Sequence, residues 1–205
     1  MIDDWINKEL LTEKEILKMR DLFSKGKPFS HMRVFSFLNE QKVRELEKAL
    51  KSEKFQYKES DLFQFKQTQD FSTCKNKIIK EFYKFVSSSE FAQLISKIAR
   101  IKLESGAIDL AGNLYENTDY LLCHDDQLED RKIAYILYLG DNFSEKDGGS
   151  LVLFDSEKGR PTKVAKRNYP QYNSLILFEV SSVSFHEVEE VMNDKKRYCI
   201  GGWLH

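Results

Sequence analysis

From Gly106 onward the chain is a series of short apolar runs broken by turn residues: IDLAGNLY, DYLLCHD, IAYILYL, GGSLVLF, SLILFEV, VSFHEV and RYCIGGWL. Runs this short, bounded by Gly, Asn and Asp, read as strands, because a helix needs roughly ten or more residues at 3.6 periodicity. Several are apolar on both parities, so both faces of their sheet must be covered, as when two sheets pack face to face. Asp147-Gly148-Gly149 and Met192-Asn193-Asp194-Lys195 provide turn chemistry between them.

The texture before Gly106 is different. Thr12-x-x-Glu15 is a capping-box signature ahead of Ile16, Met19, Leu22 and Phe23, and Gly26 marks the end of that helix. Asn39 is placed to cap a second helix with Val43, Leu46 and Leu50 on one face. Ile78, Ile79, Phe82 and Phe85 mark a third, and Ser88 or Ser89 starts a fourth through Leu94, Ile95 and Ile98. The expected fold is α+β: N-terminal helices, residues 1–105, supporting a β-sandwich or jelly-roll core over 106–205. No repeat or linker divides the chain, and 205 residues suit one domain.

A formal net charge of -1 removes the electrostatic reason to expect nucleic acid as a partner. Three cysteines without CxxC spacing indicate neither a disulfide framework nor a cysteine zinc site. The acidic start MIDDWINKEL and the lack of any long apolar run give no signal peptide or membrane span, so a cytoplasmic or nuclear location is expected.

LLCHDDQLED poses the chemical question. A carboxylate at the end of a buried strand is costly unless it is paired or binds a metal. Alternate strand residues share a side, so His124 and Asp126 can converge while Asp125 faces away. His186, in VSFHEV, is the next histidine. Two histidines and a carboxylate form the facial triad of non-haem Fe(II), with the remaining positions open. Arg197 begins the following run with Cys199, Gly201 and Trp203 on its side, and a hairpin over Met192 to Lys196 is expected to bring it beside the metal. A buried guanidinium needs a carboxylate, and its own strand offers none. A cosubstrate dicarboxylate that chelates iron through a 2-oxo acid meets that need, which points to 2-oxoglutarate. The competing expectation pairs Arg197 with Glu187 or Glu189.

The ordered set His124-x-Asp126, His186 and Arg197, with IAYILYL, GGSLVLF, NSLILFEVSSVSFHEV and RYCIGGWLH, resembles the 2-oxoglutarate and Fe(II)-dependent prolyl hydroxylases. PFSHMRVFSFLNEQ and DLFQFKQTQDF extend the resemblance and make it closest to the eukaryotic ribosomal prolyl hydroxylases, through their catalytic domain. The resemblance implies a double-stranded β-helix core, with His124, Asp126 and His186 as iron ligands. It implies that Arg197, Tyr115 and Tyr138 hold the distal carboxylate of 2-oxoglutarate. It further implies O2 as oxidant, ascorbate as a candidate accessory, and hydroxylation of a proline in a small-subunit ribosomal protein. A lid-like hairpin near 55–71 closing over the peptide belongs to the same expectation.

Two other function classes fit a β-rich scaffold: a non-catalytic jelly-roll binding module that keeps the pocket, and a metal hydrolase in a cupin-like barrel. An oxygenase acting on a different protein is a third variant. Gly148-Gly149 is read as a tight turn, EKGRPTKVAKRN as a solvated basic loop, and His31 and His205 as without ligand role. The cysteines are read as small buried residues, with Cys123 a candidate point of oxidant sensitivity beside His124.

Overall fold

Side-chain caps set the helix starts in the computed structural model, which describes residues 2–128 and 130–205. After a short α1 (Ile2–Trp5), Thr12 accepts from the Glu15 amide at the start of α2 (Glu13–Lys25), and Asn39 from Gln41 at α3 (Glu40–Lys51). Asn76 accepts from Ile78 at α4 (Lys77–Val86), and Ser88 from Phe91 at α5 (Ser89–Ala99). Each cap stabilises its helix by about 1 kcal/mol. The buried faces then connect through aromatic rings. Trp5 stacks on Phe85 at 5.7 Å, Phe85 meets Phe91 at 5.1 Å, and Phe91 reaches Tyr135 of the sheet at 6.1 Å. Among the described residues no helix is long and apolar enough to cross a membrane.

The strands are β1 (His31–Phe35), β2 (Gln56–Ser60), β3 (Phe63–Gln67), β4 (Ile108–Tyr115), β5 (Tyr120–His124) and β6 (Ile133–Tyr138). They continue with β7 (Leu151–Glu157), β8 (Arg160–Asn168), β9 (Ser174–Glu179), β10 (His186–Val188) and β11 (Arg197–Leu204). All pair antiparallel in the order β1-β9-β6-β11-β4-β3-β5-β10-β7-β8, with β2 attached to β3. β1 is a strand that the sequence pattern did not announce; it joins the core sheet with Arg33 opposite Ile176.

The double parity of the central runs now has a cause. Ile133, Tyr135 and Leu137 of β6, with Leu175 and Leu177 of β9, pack against the helices. Ala134, Tyr138, Ile176 and Phe178 point the other way into a second apolar cluster. The outer face of this sheet is therefore covered by helices, and only the inner face meets another layer of sheet. β3 pairs with both β4 and β5 and joins the two halves. The halves face one another: Phe178 of β9 lies 4.6 Å from the ring of His186 on β10. This curled antiparallel sheet is the jelly-roll core expected above.

Two expectations are corrected. β10 pairs with β5 and β7, whereas β11 pairs with β4 and β6. The chain from His186 to Arg197 is thus a crossover between facing halves and not a hairpin. The basic stretch EKGRPTKVAKRN is no loop, because most of it is β8, which pairs with β7 as an edge strand. Its exposed Lys and Arg suit an edge that must not recruit further strands. The sequence pattern failed there because an edge strand exposed on both faces shows no apolar alternation.

Candidate metal centre

His124 and His186 stand opposite each other where β5 pairs with β10. Their rings are 4.2 Å apart between centroids. Asp126 joins them by another route than strand alternation. β5 ends at His124, and Asp126 lies beyond it with a left-handed φ of 62°. Such a conformation is strained for most residues and tolerated by Asp. It turns the carboxylate back so that Oδ1 is 3.4 Å from His124 Nε2 and Oδ2 is 3.3 Å from His186 Nε2. The three groups offer ligand atoms within 4.8 Å of one another.

The far side of each ring fixes its chemistry. His124 Nδ1 is 2.8 Å from the Leu122 carbonyl, and His186 Nδ1 is 2.7 Å from that of Ser184. A carbonyl only accepts, so Nδ1 carries a proton in both rings and Nε2 of each ring faces the shared point, where it donates to Asp126 when protonated and offers its lone pair once a cation takes that proton's place. Burial of Asp126, whose side chain is 8 % exposed, favours the acid. The hydrogen bonds from His124 and His186 outweigh that and hold the carboxyl far below the usual carboxylate range. Burial likewise opposes charging of His124, but the hydrogen bond and charge of Asp126 raise its pKa. Two imidazole nitrogens and an ionised carboxylate on one side suit a facial triad for Fe(II), and the arrangement fits that ion.

Arg197 is 2 % exposed and meets no carboxylate among the described residues. Nε donates to the Gly149 carbonyl at 2.8 Å, one Nη to the Tyr138 hydroxyl at 3.2 Å, and the other to Cys199 Sγ at 3.3 Å. The guanidinium also lies 4.7 Å from the Tyr115 ring centre. Glu189, one of the two proposed partners, instead accepts from Arg167 at 2.8 Å and from Ser150. Burial pushes up the phenols of Tyr115 and Tyr138, which therefore remain neutral donors. A buried cation surrounded by neutral groups costs several kcal/mol unless a counter-anion arrives. A cavity of about 320 Å³ is lined by Arg197 and Tyr115, by His124, Asp126 and His186, and by Trp203.

The structure thus brings His124, Asp126, His186, Arg197 and Tyr115 around one cavity, while Tyr138 is outside its lining and bonded to Arg197. His31 and His205 lie elsewhere, His31 against Lys166 and His205 against Asp109. Several contributors escaped the sequence. Gly149, read as a turn residue, supplies the carbonyl that orients Arg197 and sits at φ 62°. Phe65 stacks on Tyr115 at 5.0 Å. Arg131 lies 3.4 Å over the Trp203 ring and 4.0 Å from Asp126. Trp203 carried a signal in its shared parity with Arg197, and Phe65 in the aromatic stretch DLFQFKQTQDF. Cys123 does not line the cavity; burial, with Glu187 and Asp125, pushes its thiol up to about 11, which argues against a reactive thiolate.

Comparison with known proteins agrees with this geometry. Residues 110–205 match the model of the 2OG-Fe(II) oxygenase superfamily. Prolyl 3-hydroxylase OGFOD1 of Xenopus laevis is 42 % identical over 181 residues, covering 87 % of this chain and 35 % of that protein. Prolyl 3,4-dihydroxylase OGFOD1 of Ostreococcus tauri is 33 % identical over 195 residues, covering 87 % of this chain and 38 % of that protein. The chain spans little more than a third of the length of these curated relatives. A Trichoplax adhaerens prolyl hydroxylase, solved with a hypoxia inducible factor peptide, superposes with a TM-score of 0.71 at 17 % identity, covering 97 % of this chain and 95 % of that one. That likeness concerns the fold.

Proposed function

The chain belongs to the 2OG-Fe(II) oxygenase superfamily, and from that premise we propose that it hydroxylates a prolyl residue of a protein substrate. 2-Oxoglutarate is the cosubstrate and O2 the oxidant, with succinate and CO2 as co-products. The reading rests on one observation above all: two Nε2 atoms and the Asp126 carboxylate converge at a cavity also lined by Arg197, which has no carboxylate partner among the described residues. His124, Asp126 and His186 would hold Fe(II), which supplies the redox chemistry with O2 that side chains lack.

The remaining tasks fall to the protein. Arg197, fixed by the Gly149 carbonyl, receives the distal carboxylate of 2-oxoglutarate, and the neutral phenols of Tyr138 and Tyr115 add donors beside it. Phe178, packed on the His186 ring, holds that imidazole and keeps water from the inner wall. Trp203 and Phe65 line the cavity and offer aromatic faces to an imino-acid ring.

The subgroup resemblance, carried by PFSHMRVFSFLNEQ and DLFQFKQTQDF, makes a small-subunit ribosomal protein the preferred substrate. Unpaired Cys74, Cys123 and Cys199 suit a reducing compartment, cytoplasm or nucleus. The test is mass spectrometry of proline-containing peptides from small-subunit ribosomal proteins, incubated with the protein, Fe(II) and 2-oxoglutarate. The expected result is one added oxygen on a proline with matching succinate. No succinate with any such peptide, from metal-loaded folded protein, would overturn the reading.

A further inference from the structure

β1 and β8 are the two ends of the strand order, and no hydrogen-bonded ladder joins them. At the level of the metal centre the register runs from His186 to Leu153 to Lys166 on one half. On the other it runs from Ala134 to Phe178 to His31. Side chains close this ring: Lys166 Nζ is 2.9 Å from His31 Nε2. His31 is 3 % exposed, and its Nδ1 lies 2.9 Å from the Phe29 carbonyl. Nδ1 therefore carries the proton, and Nε2 offers its lone pair to the lysine.

Lys166 differs from Lys163 and Arg167 of its strand. Lys163 reaches Asp155 at 3.6 Å and Arg167 reaches Glu189 at 2.8 Å, while Lys166 pairs with no carboxylate among the described residues. The charged or titratable groups facing its amine are His31 and Arg33 of β1; from β7 it faces Leu153. Among the described residues Arg33 has no carboxylate partner either, and its Nε is buried without a hydrogen bond. Lys166 is an exposed residue whose amine is desolvated where it meets His31; that desolvation and the Arg33 charge lower its pKa, and burial lowers that of His31. An amine beside a second cation, bonded to a neutral imidazole, is an activated nucleophile.

We propose that Lys166 is a nucleophilic amine that accepts acyl groups from acyl thioesters, with His31 as its proton acceptor. The Nζ lone pair attacks the thioester carbonyl carbon, and the N–C bond forms as the C–S bond breaks. The proton leaving Nζ passes to His31 Nε2 and from there to the departing thiolate, so the products are an amide and a thiol with no change in oxidation state. Acylation removes a positive charge from the seam. The site is separate from the proposed hydroxylation and does not depend on it.

Incubation of the folded protein with acetyl-coenzyme A, followed lysine by lysine with peptide mass spectrometry, tests this. Lys163, with its side chain 81 % exposed, is the internal comparator. Lys166 should acetylate on the order of tenfold faster than Lys163. The difference should vanish in urea and in His31→Gln. Equal or slower labelling of Lys166, or an advantage that survives in folded His31→Gln, overturns the proposal. Should that variant fail to fold, the pH profile of the unaltered protein decides: Lys166 labelling must rise at lower pH than Lys163 labelling, and coincident profiles refute it.

Discussion

The ring of Phe65 lies 16° from parallel to that of Tyr115, at 5.0 Å, and Tyr115 in turn rests on the Arg197 guanidinium. The hairpin of β2 and β3 is thereby linked by stacked rings to Arg197. An aromatic pair contributes about 0.5–1.5 kcal/mol beyond area burial. Phe65→Ala should weaken 2-oxoglutarate binding severalfold, and Phe65→Tyr should restore it, in anaerobic titrations of Fe(II)-loaded protein followed by visible absorption. Equal affinity in all three proteins would show that Tyr115 needs no support from the hairpin.

Arg197→Lys keeps the charge and loses the fork that reaches Gly149, Tyr138 and Cys199 together. Charged hydrogen bonds contribute about 1.5–3 kcal/mol each. The same titration should show 2-oxoglutarate affinity falling on the order of tenfold or more, with metal binding retained.

Metal binding should stabilise the fold. At a hundredfold excess over the dissociation constant the gain is about 2.7 kcal/mol, seen as a rise in Tm on adding Fe(II) under nitrogen. Asp126→Ala and His186→Ala should abolish that rise. A full shift in either variant would remove these residues from the ligand set.

The same site predicts a pH dependence. Burial resists protonation of His124, but Asp126 outweighs it, so the folded pKa stands above the ordinary imidazole value of 6.5. The His124–Asp126 interaction therefore contributes fully below 6.5 and is lost as pH rises through the folded pKa. A metal must displace that proton, so its affinity should climb with pH through the titration of His124. By NMR, Asp126→Asn should move the His124 titration to lower pH; an unmoved curve would contradict the pairing.

A Cβ on Gly202 would come within 1.8 Å of the Asp109 carbonyl oxygen, a backbone atom of the paired strand. Gly202→Ala must therefore push β4 from β11, at a cost of about 1–3 kcal/mol. The urea midpoint should fall accordingly, and an unchanged midpoint would mean the strands separate freely.

What the sequence determined by itself was local. Thr12, Asn39, Asn76 and Ser88 cap helices because a side-chain oxygen needs only the next turn of its own chain. The central runs announced β6, β9 and β11 because burial on both faces leaves an apolar signature within a few residues. The ligand types were also legible, since His, Asp, His and Arg carry their chemistry wherever they lie. Tertiary structure alone decided how they meet. Asp126 reaches the histidines through a left-handed turn, and Arg197 through a crossover between sheet halves. Gly149 became a hydrogen-bond acceptor, β1 and β8 became sheet edges, and Lys166 came to rest on His31. Those outcomes depend on register between segments far apart in the chain, where one residue of slip turns every side chain to the opposite face. No local pattern encodes that choice, because the packing of the whole sheet selects it.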